Sequence, residues 1–392
     1  MLRYFLVLSL LSLFLSCASR SCKTDNQPQG TLNDEPAKVG QNQLDAIRDD
    51  YALPALAVQV VSSKKPFGYV SGVRKWNHPT PALLTDKFHL GSCTKAMTAT
   101  LLAIFIERGQ LKWNTTLQEV FPQLVATMSP AYKNVTLELL TAHRGGIPGD
   151  VSSFQRGTLW QKLWDPSLDP VEGRKLVAKA MLSAPPAHEP GSTFEYSNAG
   201  YMIIGAVLEA RTGKSWEVLI KEELFKPLGM NGCGFGAQAR TKANPVDQPW
   251  PHTRTAGVLR PVTPDFQGDN PPTLGPAGTV HCTLDDWGKF AQLHMDGFNG
   301  RNTSLLKSSA FKKLHQSYPG DEYTYGGWLR VDRPWAGGPT FTHSGSNTMN
   351  HAVIWMAPLK DFSFLAVTNA GGEGAEQATD EAVSMLVKEL QP

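Results

Sequence analysis

Cysteine is scarce in this chain of 392 residues, and the five present are too few for a small scaffold held by disulfides. Charge of one sign is also lacking, because 37 basic and 35 acidic side chains nearly cancel and no basic block stands out. This balance argues against a nucleic-acid-binding face. Glycine and proline, at 35 and 28 residues, are too few for a collagen-like or low-complexity chain. A globular enzyme or a large binding domain remains.

Several catalytic motifs are missing as well. No Gly-x-Ser-x-Gly occurs, so the nucleophile elbow of an α/β-hydrolase is absent. Without His-Glu-x-x-His or Cys-x-x-Cys, the sequence gives no support for a zinc site. The Gly-x-Gly-x-Gly of residues 232–236 does not follow a predicted strand, so we interpret it as turn glycines. We expect neither a metal nor an organic cofactor.

The N-terminus has the pattern of an export signal. Arg3 precedes an apolar run at residues 5–15, which is shorter than the roughly 20 residues of a membrane-spanning helix but suits a signal-peptide core. We predict a signal peptide at residues 1–17, with lipidation of Cys17. Ordinary secretion, by cleavage at the small-x-Ala sequence of residues 16–18, and a buried N-terminal segment are the alternatives.

Residues 18–41 are polar and have no periodic apolar positions, so we predict a flexible tether. The protein would then lie outside the cytoplasm as a membrane-anchored lipoprotein, or otherwise be periplasmic or secreted. Four further cysteines could pair in that oxidising compartment, but their spacing fits no known framework. We interpret them as buried free thiols: Cys22, Cys93, Cys233 and Cys282.

The remaining residues, 42–391, have the pattern of one catalytic domain in two parts. Strands are predicted at residues 55–62, 68–74, 341–343, 351–356 and 362–368, and helices at residues 92–108, 137–142, 201–211 and 378–390. Both ends of the chain would therefore contribute to one sheet, from about 42–91 and 270–391, with a helical insertion at about 92–269. A ligand cleft is expected where the two parts meet.

One Ser-x-x-Lys motif has a context that suits catalysis. Ser92 follows a glycine at the start of a long apolar helix, and Lys95 lies one turn further, about 4.5 Å along the axis. The positive end of the helix dipole disfavours an ammonium, and a neutral amine could accept the serine proton during attack. The alternative is a plain N-cap serine with a solvated lysine. The other serines with this spacing lack that context: Ser62, Ser304 and Ser309.

A Tyr-x-Asn pair occurs at Tyr196 and Asn198, in a loop that runs into a helix. A phenol beside an ammonium can have a lowered pKa and act as a second proton carrier, and a carboxamide can bind a substrate amide. Taken alone, such a tyrosine is more often a packing residue.

The sequence Phe-Thr-His-Ser-Gly-Ser of residues 341–346 has the pattern of a strand with polar groups beside a glycine. Gly345 permits close approach of a substrate backbone, and the N–H of Ser346 can point at an oxyanion. His143 has the same His-x-Gly spacing as His343, but it ends a helix, so we interpret it as structural.

Together these motifs resemble the serine β-lactamase-related hydrolases, in the class C branch that includes D-peptidases, esterases and penicillin-binding proteins. The resemblance depends on Asp-Lys-Phe-His-Leu-Gly-Ser-Cys-Thr-Lys-Ala-Met-Thr-Ala at residues 86–99 and Glu-Arg-Gly-Gln-Leu at 107–111. Later segments agree: Leu-Leu-Thr-Ala-His-Arg-Gly-Gly-Ile-Pro at 139–148, Tyr-Ser-Asn-Ala-Gly-Tyr at 196–201, Pro-Leu-Gly-Met at 227–230 and Pro-Ala-Gly at 276–278. It implies a β-lactamase/transpeptidase-like α/β (α+β) fold, an antiparallel sheet flanked by helices with an all-helical insertion.

The resemblance also implies residue roles. Ser92 would be acylated with Lys95 as proton acceptor, and Tyr196 would relay protons. Asn198 would orient the substrate, and the N–H groups of Ser92 and Ser346 would bind the oxyanion, with Gly345 beside them. His343 replaces the lysine usual in β-lactamases, which holds the substrate carboxylate. A histidine is mostly neutral at pH 7, so that attraction is weaker here.

We therefore expect an extracytoplasmic serine hydrolase for an ester or amide, with small-molecule or peptide substrates, peptidoglycan fragments among them. A penicillin-recognising DD-peptidase or β-lactamase and a non-catalytic cell-wall or ligand-binding protein are the alternatives. A membrane is expected as partner through the lipid anchor only, and nucleic acid is not. Four aromatic residues in long loops are candidate walls of the cleft, although packing is the commoner role: Trp160, Trp164, Trp250 and Phe266.

Overall fold

The computed structural model describes residues 35–64, 66–149 and 157–390. The predicted signal peptide, the proposed lipidation site at Cys17 and most of the predicted tether lie outside these residues. The strands are β1 Ala55–Val61, β2 Phe67–Gly72, β3 Lys87–His89, β4 Gly234–Phe235, β5 His252–Thr255, β6 Val258–Pro261, β7 Val280–Thr283, β8 Leu329–Arg333, β9 Gly338–Ser346, β10 His351–Ala357 and β11 Phe362–Thr368.

The α-helices are α1 Glu35–Asp50, α2 Thr94–Glu107, α3 Leu117–Val120, α4 Pro130–Lys133, α5 Leu137–Thr141, α6 Thr158–Leu163, α7 Pro170–Ser183, α8 Asn198–Thr212, α9 Trp216–Ile220, α10 Lys226–Leu228, α11 Gly275–Gly278, α12 Leu284–Phe298, α13 Ser308–Leu314 and α14 Ala375–Leu390. Short 3-10 turns occur at Gly91–Cys93, Pro122–Leu124, Pro272–Leu274, Pro334–Ala336 and Pro358–Lys360, and a π turn at Lys221–Phe225. Within the described part, no helix combines the length and apolar character needed to cross a membrane.

An antiparallel sheet of six strands joins the two ends of the chain, in the order β2-β1-β11-β10-β9-β8. Its central strands are rich in apolar and β-branched residues and are buried on both faces. On one face, Leu44 of α1 and Leu386 of α14 pack in one apolar cluster with β1. On the other face, Trp287 of α12 belongs to the second cluster. The predicted fold class, an antiparallel sheet flanked by helices, is confirmed.

The helical part is organised around α2, whose residues from Thr94 to Phe105 are all buried. A helix that is apolar on every side has to be surrounded by other elements, and α8, α11 and α13 all contact it. The turn that precedes α2 lies against β9 and β10. The start of α2 is therefore held between the sheet and the helical part, where a cleft was expected.

The first helix begins at Glu35, inside the segment predicted as a tether. The Gln41 side chain donates to the carbonyl of Val70 on β2 at 3.0 Å and to Asp45 at 3.1 Å. Leu44, one turn further, is fully buried. Contacts with a distant strand stabilise this helix, and the polar composition of the segment gave no indication of them.

A disulfide joins Cys233 and Cys282. The expectation of free thiols is therefore wrong for these two residues. They are separated by 49 positions, but β4 pairs with β7 and places Gly234 opposite His281, so the neighbouring cysteines meet. Cys93 is the free cysteine of the described residues and is buried, while Cys22 lies outside them.

Candidate active site

Ser92 lies in the middle of the 3-10 turn that leads into α2. Gly91 has a φ of +50°, and a Cβ there would lie 2.4 Å from the backbone nitrogen of Ser346, so only glycine fits this turn. The residues on either side of Ser92 are buried, whereas Ser92 itself is partly exposed. The helix N-cap is Cys93, without a side-chain capping bond, so Ser92 is not the cap.

Lys95 lies one turn along α2, with its side chain fully buried. Its Nζ is 3.0 Å from Ser92 Oγ, 2.7 Å from Asn198 Oδ1 and 2.7 Å from the carbonyl oxygen of Ala277. Burial lowers its pKa to about 7, with a smaller opposing effect from Cys93. The solvated lysine of the alternative interpretation is therefore not observed.

The three neighbours of Lys95 determine which hydrogen bonds its amine would donate and accept if it were neutral. A neutral amine has two N–H groups and one lone pair. The carbonyl of Ala277 can only accept, and Asn198 presents its oxygen. These two acceptors use both N–H groups, so the lone pair remains for the Ser92 hydroxyl. The geometry thus directs the lone pair of a neutral Lys95 at the Ser92 hydroxyl.

Tyr196 completes the group around Ser92, since its phenol is close enough for the Ser92 hydroxyl to lower its pKa. Lys95 Nζ lies 4.7 Å from the centroid of the Tyr196 ring. Burial raises the pKa of Tyr196, and this outweighs the lowering effect of the Ser92 hydroxyl. The lowered pKa expected from a nearby ammonium is not found. In the resting protein the phenol keeps its proton and can donate it.

Two backbone segments meet beside Ser92. A Cβ on Gly345 would lie 2.6 Å from the Ser92 nitrogen, just as one on Gly91 would meet the Ser346 nitrogen. The Ser346 hydroxyl is turned away, because it donates to the carbonyl of Asn350 at 2.8 Å. The N–H groups of Ser92 and Ser346 therefore belong to two segments in direct contact, as a pair of oxyanion donors requires.

His343 lies on β9 and is 5% exposed. Its pKa is lowered to about 4, first by burial and then by the charge of Lys95, so the imidazole is neutral at pH 7. Its ring centroid is 6.2 Å from that of Tyr196. The structure thus brings together all seven residues singled out from the sequence: Ser92, Lys95, Tyr196, Asn198, His343, Gly345 and Ser346.

Two residues at this site were missed by the sequence analysis. His143 was interpreted as structural, yet its ring centroid is 4.4 Å from that of Tyr196. Tyr323 lies between the two histidines, with its hydroxyl 3.3 Å from His143 Nε2 and 3.2 Å from His343 Nε2. The His-x-Gly spacing shared by both histidines was a usable signal for His143. No sequence signal marked Tyr323.

A buried His–Asp pair supports the two contacting segments from behind. His89 Nε2 is 2.8 Å from Asp269 Oδ1, and both side chains are at most 3% exposed. The N–H of Gly91 donates to His89 Nδ1 at 3.1 Å, and Asn347 donates to Asp269 Oδ1 at 2.8 Å. The pair therefore connects the turn before Ser92 to the residue after Ser346.

The four aromatic residues considered as cleft walls separate into two places. Trp164 contacts Trp160 and Phe266 edge to face, with centroid distances of 6.1 and 6.0 Å. Trp250 instead lies under the ammonium of Lys75, at 3.5 Å from the ring centroid. Trp160 on α6, Trp164 directly after that helix and Phe266 in the loop after β6 thus form one aromatic cluster, and Trp250 is not part of it.

Comparisons with known proteins agree with this arrangement. The sequence matches the family described as Beta-lactamase over residues 41–387. Penicillin-binding protein 4 of Amycolatopsis lactamdurans is 25% identical over 343 residues, which cover 84% of this chain and 84% of that protein.

Two solved structures with the same fold are a penicillin-binding protein homologue and an amidase. The octameric homologue from Pyrococcus abyssi has a TM-score of 0.70 at 21% identity, over 90% of this chain and 77% of that chain. The D-amino acid amidase from Ochrobactrum anthropi SV3, solved with L-phenylalanine amide, has a TM-score of 0.68 at 20% identity, over 90% of this chain and 97% of that chain. At these identities the matches show a common fold.

Proposed function

The chain belongs to the Beta-lactamase family, and on that premise we propose that it is a serine hydrolase that cleaves an ester or amide bond through an acyl-enzyme on Ser92. The observation that carries the proposal is the contact of 3.0 Å between Lys95 Nζ and Ser92 Oγ. A lysine with a pKa of about 7 is substantially neutral at physiological pH and can act as the base.

In the first step, Ser92 Oγ attacks the substrate carbonyl carbon while its proton passes to the Lys95 lone pair. The negative charge that develops on the carbonyl oxygen is stabilised by the N–H groups of Ser92 and Ser346. The bond to the leaving group then breaks, and the leaving nitrogen or oxygen takes a proton from Tyr196. Lys95 restores the proton of the phenol, which leaves an ester of Ser92 and a free amine or alcohol.

In the second step, water attacks the acyl-enzyme carbonyl carbon. The same groups act in the reverse direction: Tyr196 and Lys95 accept the proton of the water, and Ser92 Oγ recovers a proton as the ester bond breaks. The products are a carboxylic acid and the free enzyme. Asn198 holds Lys95 in place throughout through its contact of 2.7 Å.

The charge at the site favours substrates without a carboxylate near β9. His343 is neutral at pH 7, so β9 carries no fixed positive charge at the position where related β-lactamases have lysine. We propose esters and small peptide amides as the preferred substrates, with peptidoglycan fragments as one class to assay. The second candidate is a penicillin-recognising peptidase or β-lactamase, which the similarity to Penicillin-binding protein 4 favours.

The experiment is intact-mass analysis after exposure to a fluorophosphonate and to a penicillin. We expect a fluorophosphonate adduct on the wild type and none on Ser92→Ala. Ser309→Ala is the matched control, because Ser309 has the same Ser-x-x-Lys spacing but is exposed on α13, and it should keep the adduct. A penicillin adduct that turns over rapidly would favour the second candidate. No adduct with either probe would indicate a non-catalytic binding protein.

We also propose that the protein is exported and anchored through Cys17. The apolar run at residues 5–15 supports this, as does the Cys233–Cys282 disulfide, because disulfides persist mainly in oxidising compartments. In a bacterial host, Cys17→Ser should move the protein from the membrane to the soluble fraction and abolish incorporation of labelled palmitate. Unchanged fractionation and labelling would contradict the anchor.

A further inference from the structure

Three buried polar side chains connect the two sides of the active site. Tyr323, in the loop before β8, lies between His143, at the end of α5, and His343 on β9. All three are at most 5% exposed. Since buried donors and acceptors need partners, the direction of each hydrogen bond can be derived from the groups at the two ends.

The contact with Ser197 determines which ring nitrogen of His143 carries the proton. The backbone N–H of Ser197 donates to His143 Nδ1 at 3.0 Å, so Nδ1 carries a lone pair and no proton. The ring must then carry its proton on Nε2. That N–H faces the Tyr323 oxygen at 3.3 Å and donates to it.

The contact with Ser344 determines which ring nitrogen of His343 carries the proton. Its Nδ1 lies 2.5 Å from the carbonyl oxygen of Ser344, which can only accept, so the proton is on Nδ1. Burial lowers the pKa of His343 to about 4, and the ring therefore carries no second proton at pH 7. The lone pair on Nε2 faces the Tyr323 hydroxyl at 3.2 Å.

Besides Tyr196, whose ring centroid is 6.4 Å from that of Tyr323, the phenol of Tyr201 also lies near Tyr323. It competes only weakly for the Tyr323 proton. Its hydroxyl already donates to the carbonyl of Thr141 at 3.0 Å, so its oxygen could only accept from Tyr323. An imidazole lone pair is a stronger base than a phenol oxygen, and leaving it unpaired in a buried site is costly. The Tyr323 proton therefore points to His343.

We propose that Tyr323 is a positioning residue that closes a one-directional hydrogen-bond chain from the Ser197 N–H, through His143 and His343, to the Ser344 carbonyl, and thereby holds the two histidines in opposite neutral tautomers. One end of this chain is the peptide that follows Tyr196, and the other precedes Gly345 and Ser346. The chain keeps the proton-donating phenol and the oxyanion segment in fixed relative positions. This inference rests on the proposed hydrolase function.

The chain also assigns a use to His343. Its Nε2 lone pair receives the Tyr323 proton, and its Nδ1 proton is held by Ser344. Neither ring nitrogen is left to bind a substrate carboxylate, which agrees with a preference for uncharged groups at this position.

Tyr323→Phe removes the hydroxyl from the hydrogen-bond chain with little change in packing. The aromatic ring of residue 323, whose centroid is 4.8 Å from that of His143, is retained. Tyr318→Phe is the matched control, since it removes a hydroxyl that donates to the carbonyl of Gly191 at 3.2 Å outside the chain. We expect kcat to fall roughly 10- to 100-fold in Tyr323→Phe, with KM within about threefold of wild type, and a much smaller change in the control. An unchanged kcat would overturn the positioning role.

The tautomers provide a readout that does not depend on activity. In nitrogen-15 spectra of histidine-labelled protein at pH 7, we expect His143 to be protonated at Nε2 and His343 at Nδ1, with signals assigned from His143→Asn and His343→Asn. In Tyr323→Phe, the His343 Nε2 signal should shift to that of a nitrogen without a hydrogen-bond donor. If His343 of the wild type is protonated at Nε2, the proposed hydrogen-bond chain is wrong. If the two histidines have opposite tautomers but the protein forms no Ser92 adduct, the hydrolase function is refuted. The hydrogen-bond chain through Tyr323 is then still supported.

Discussion

Burial lowers the pKa of Lys95, and its proposed role as a base depends on this shift. An exposed lysine has a pKa near 10.4 and is a poor base at pH 7, but loss of solvation lowers the pKa of Lys95 to about 7. Three oxygen atoms within 3.0 Å provide the polar partners that a buried amine needs. These contacts and the lowered pKa suit the role of base for Ser92 that we propose for Lys95.

This shift predicts the pH dependence of hydrolysis. Only the neutral amine can accept the serine proton, so kcat/KM should fall as the pH decreases below about 7 and level off above it. Lys95→Arg, which keeps a permanent charge, should reduce kcat/KM by about 10²- to 10⁴-fold. Lys312→Arg, at the exposed Ser-x-x-Lys of α13, is the control and should retain the wild-type profile. A flat profile between pH 6 and 9 would rule out Lys95 as the base.

Residue identity was predictable where the site is local in sequence. Ser92 and Lys95 are one helical turn apart, so their proximity follows from helix geometry. The raised pKa of Tyr196 was not predictable, because it results from burial by residues that are distant in sequence. Tyr323 was missed for the same reason: its partners, His143 and His343, lie 180 and 20 positions away.

At the level of elements, the site depends on contact between β9 and the turn before α2. A Cβ on Gly345 would lie 2.1 Å from the carbonyl oxygen of Leu90 and 2.6 Å from the Ser92 nitrogen. These are backbone atoms, which cannot move aside without a shift of the turn or the strand. Gly345 thus sets the separation of the two N–H groups that we propose as oxyanion donors.

Gly345→Ala should therefore separate the strand from the turn. We expect a loss of stability of about 1–3 kcal/mol from overpacking and a decrease in kcat of about 10²-fold or more from the displaced donors. Gly278→Ala is a close control, because its Cβ would approach the same Ser92 nitrogen at an ordinary 3.7 Å. Urea unfolding and acylation rates measure the two effects. Equal kcat values in both variants would contradict a role for the close contact.

Elements with a strong local pattern were predicted, and those defined by tertiary contacts were not. The strands at both ends and the helix after Ser92 have clear apolar patterns, and the structure has them as β1, β10, β11 and α2. The helix over residues 35–41 and the Cys233–Cys282 disulfide depend on contacts across the fold. Composition and spacing contain no information on either contact.

Across the whole molecule, histidine is mostly a buried neutral residue. Burial lowers the pKa of His252, His281 and His351 to about 4 and that of His315 to about 3. Each is hydrogen-bonded inside the fold, as His351 is to Thr379 at 2.9 Å. In the unfolded chain the same side chains would have a pKa near 6.5.

These histidines predict acid sensitivity of the fold. A group with a lower pKa in the folded state binds fewer protons there than in the unfolded chain, so the free energy of unfolding should decrease as the pH falls from about 6.5 towards 4. Each such histidine contributes a slope of about 1 kcal/mol per pH unit near pH 5.

His351→Gln should reduce the slope by that amount, whereas His78→Gln, which removes a less buried histidine, serves as the matched control. Urea unfolding at pH 5, 6 and 7 measures the slopes directly, so a loss of absolute stability in either variant does not affect the comparison. A wild-type stability that is constant over this range would contradict the role of the buried histidines.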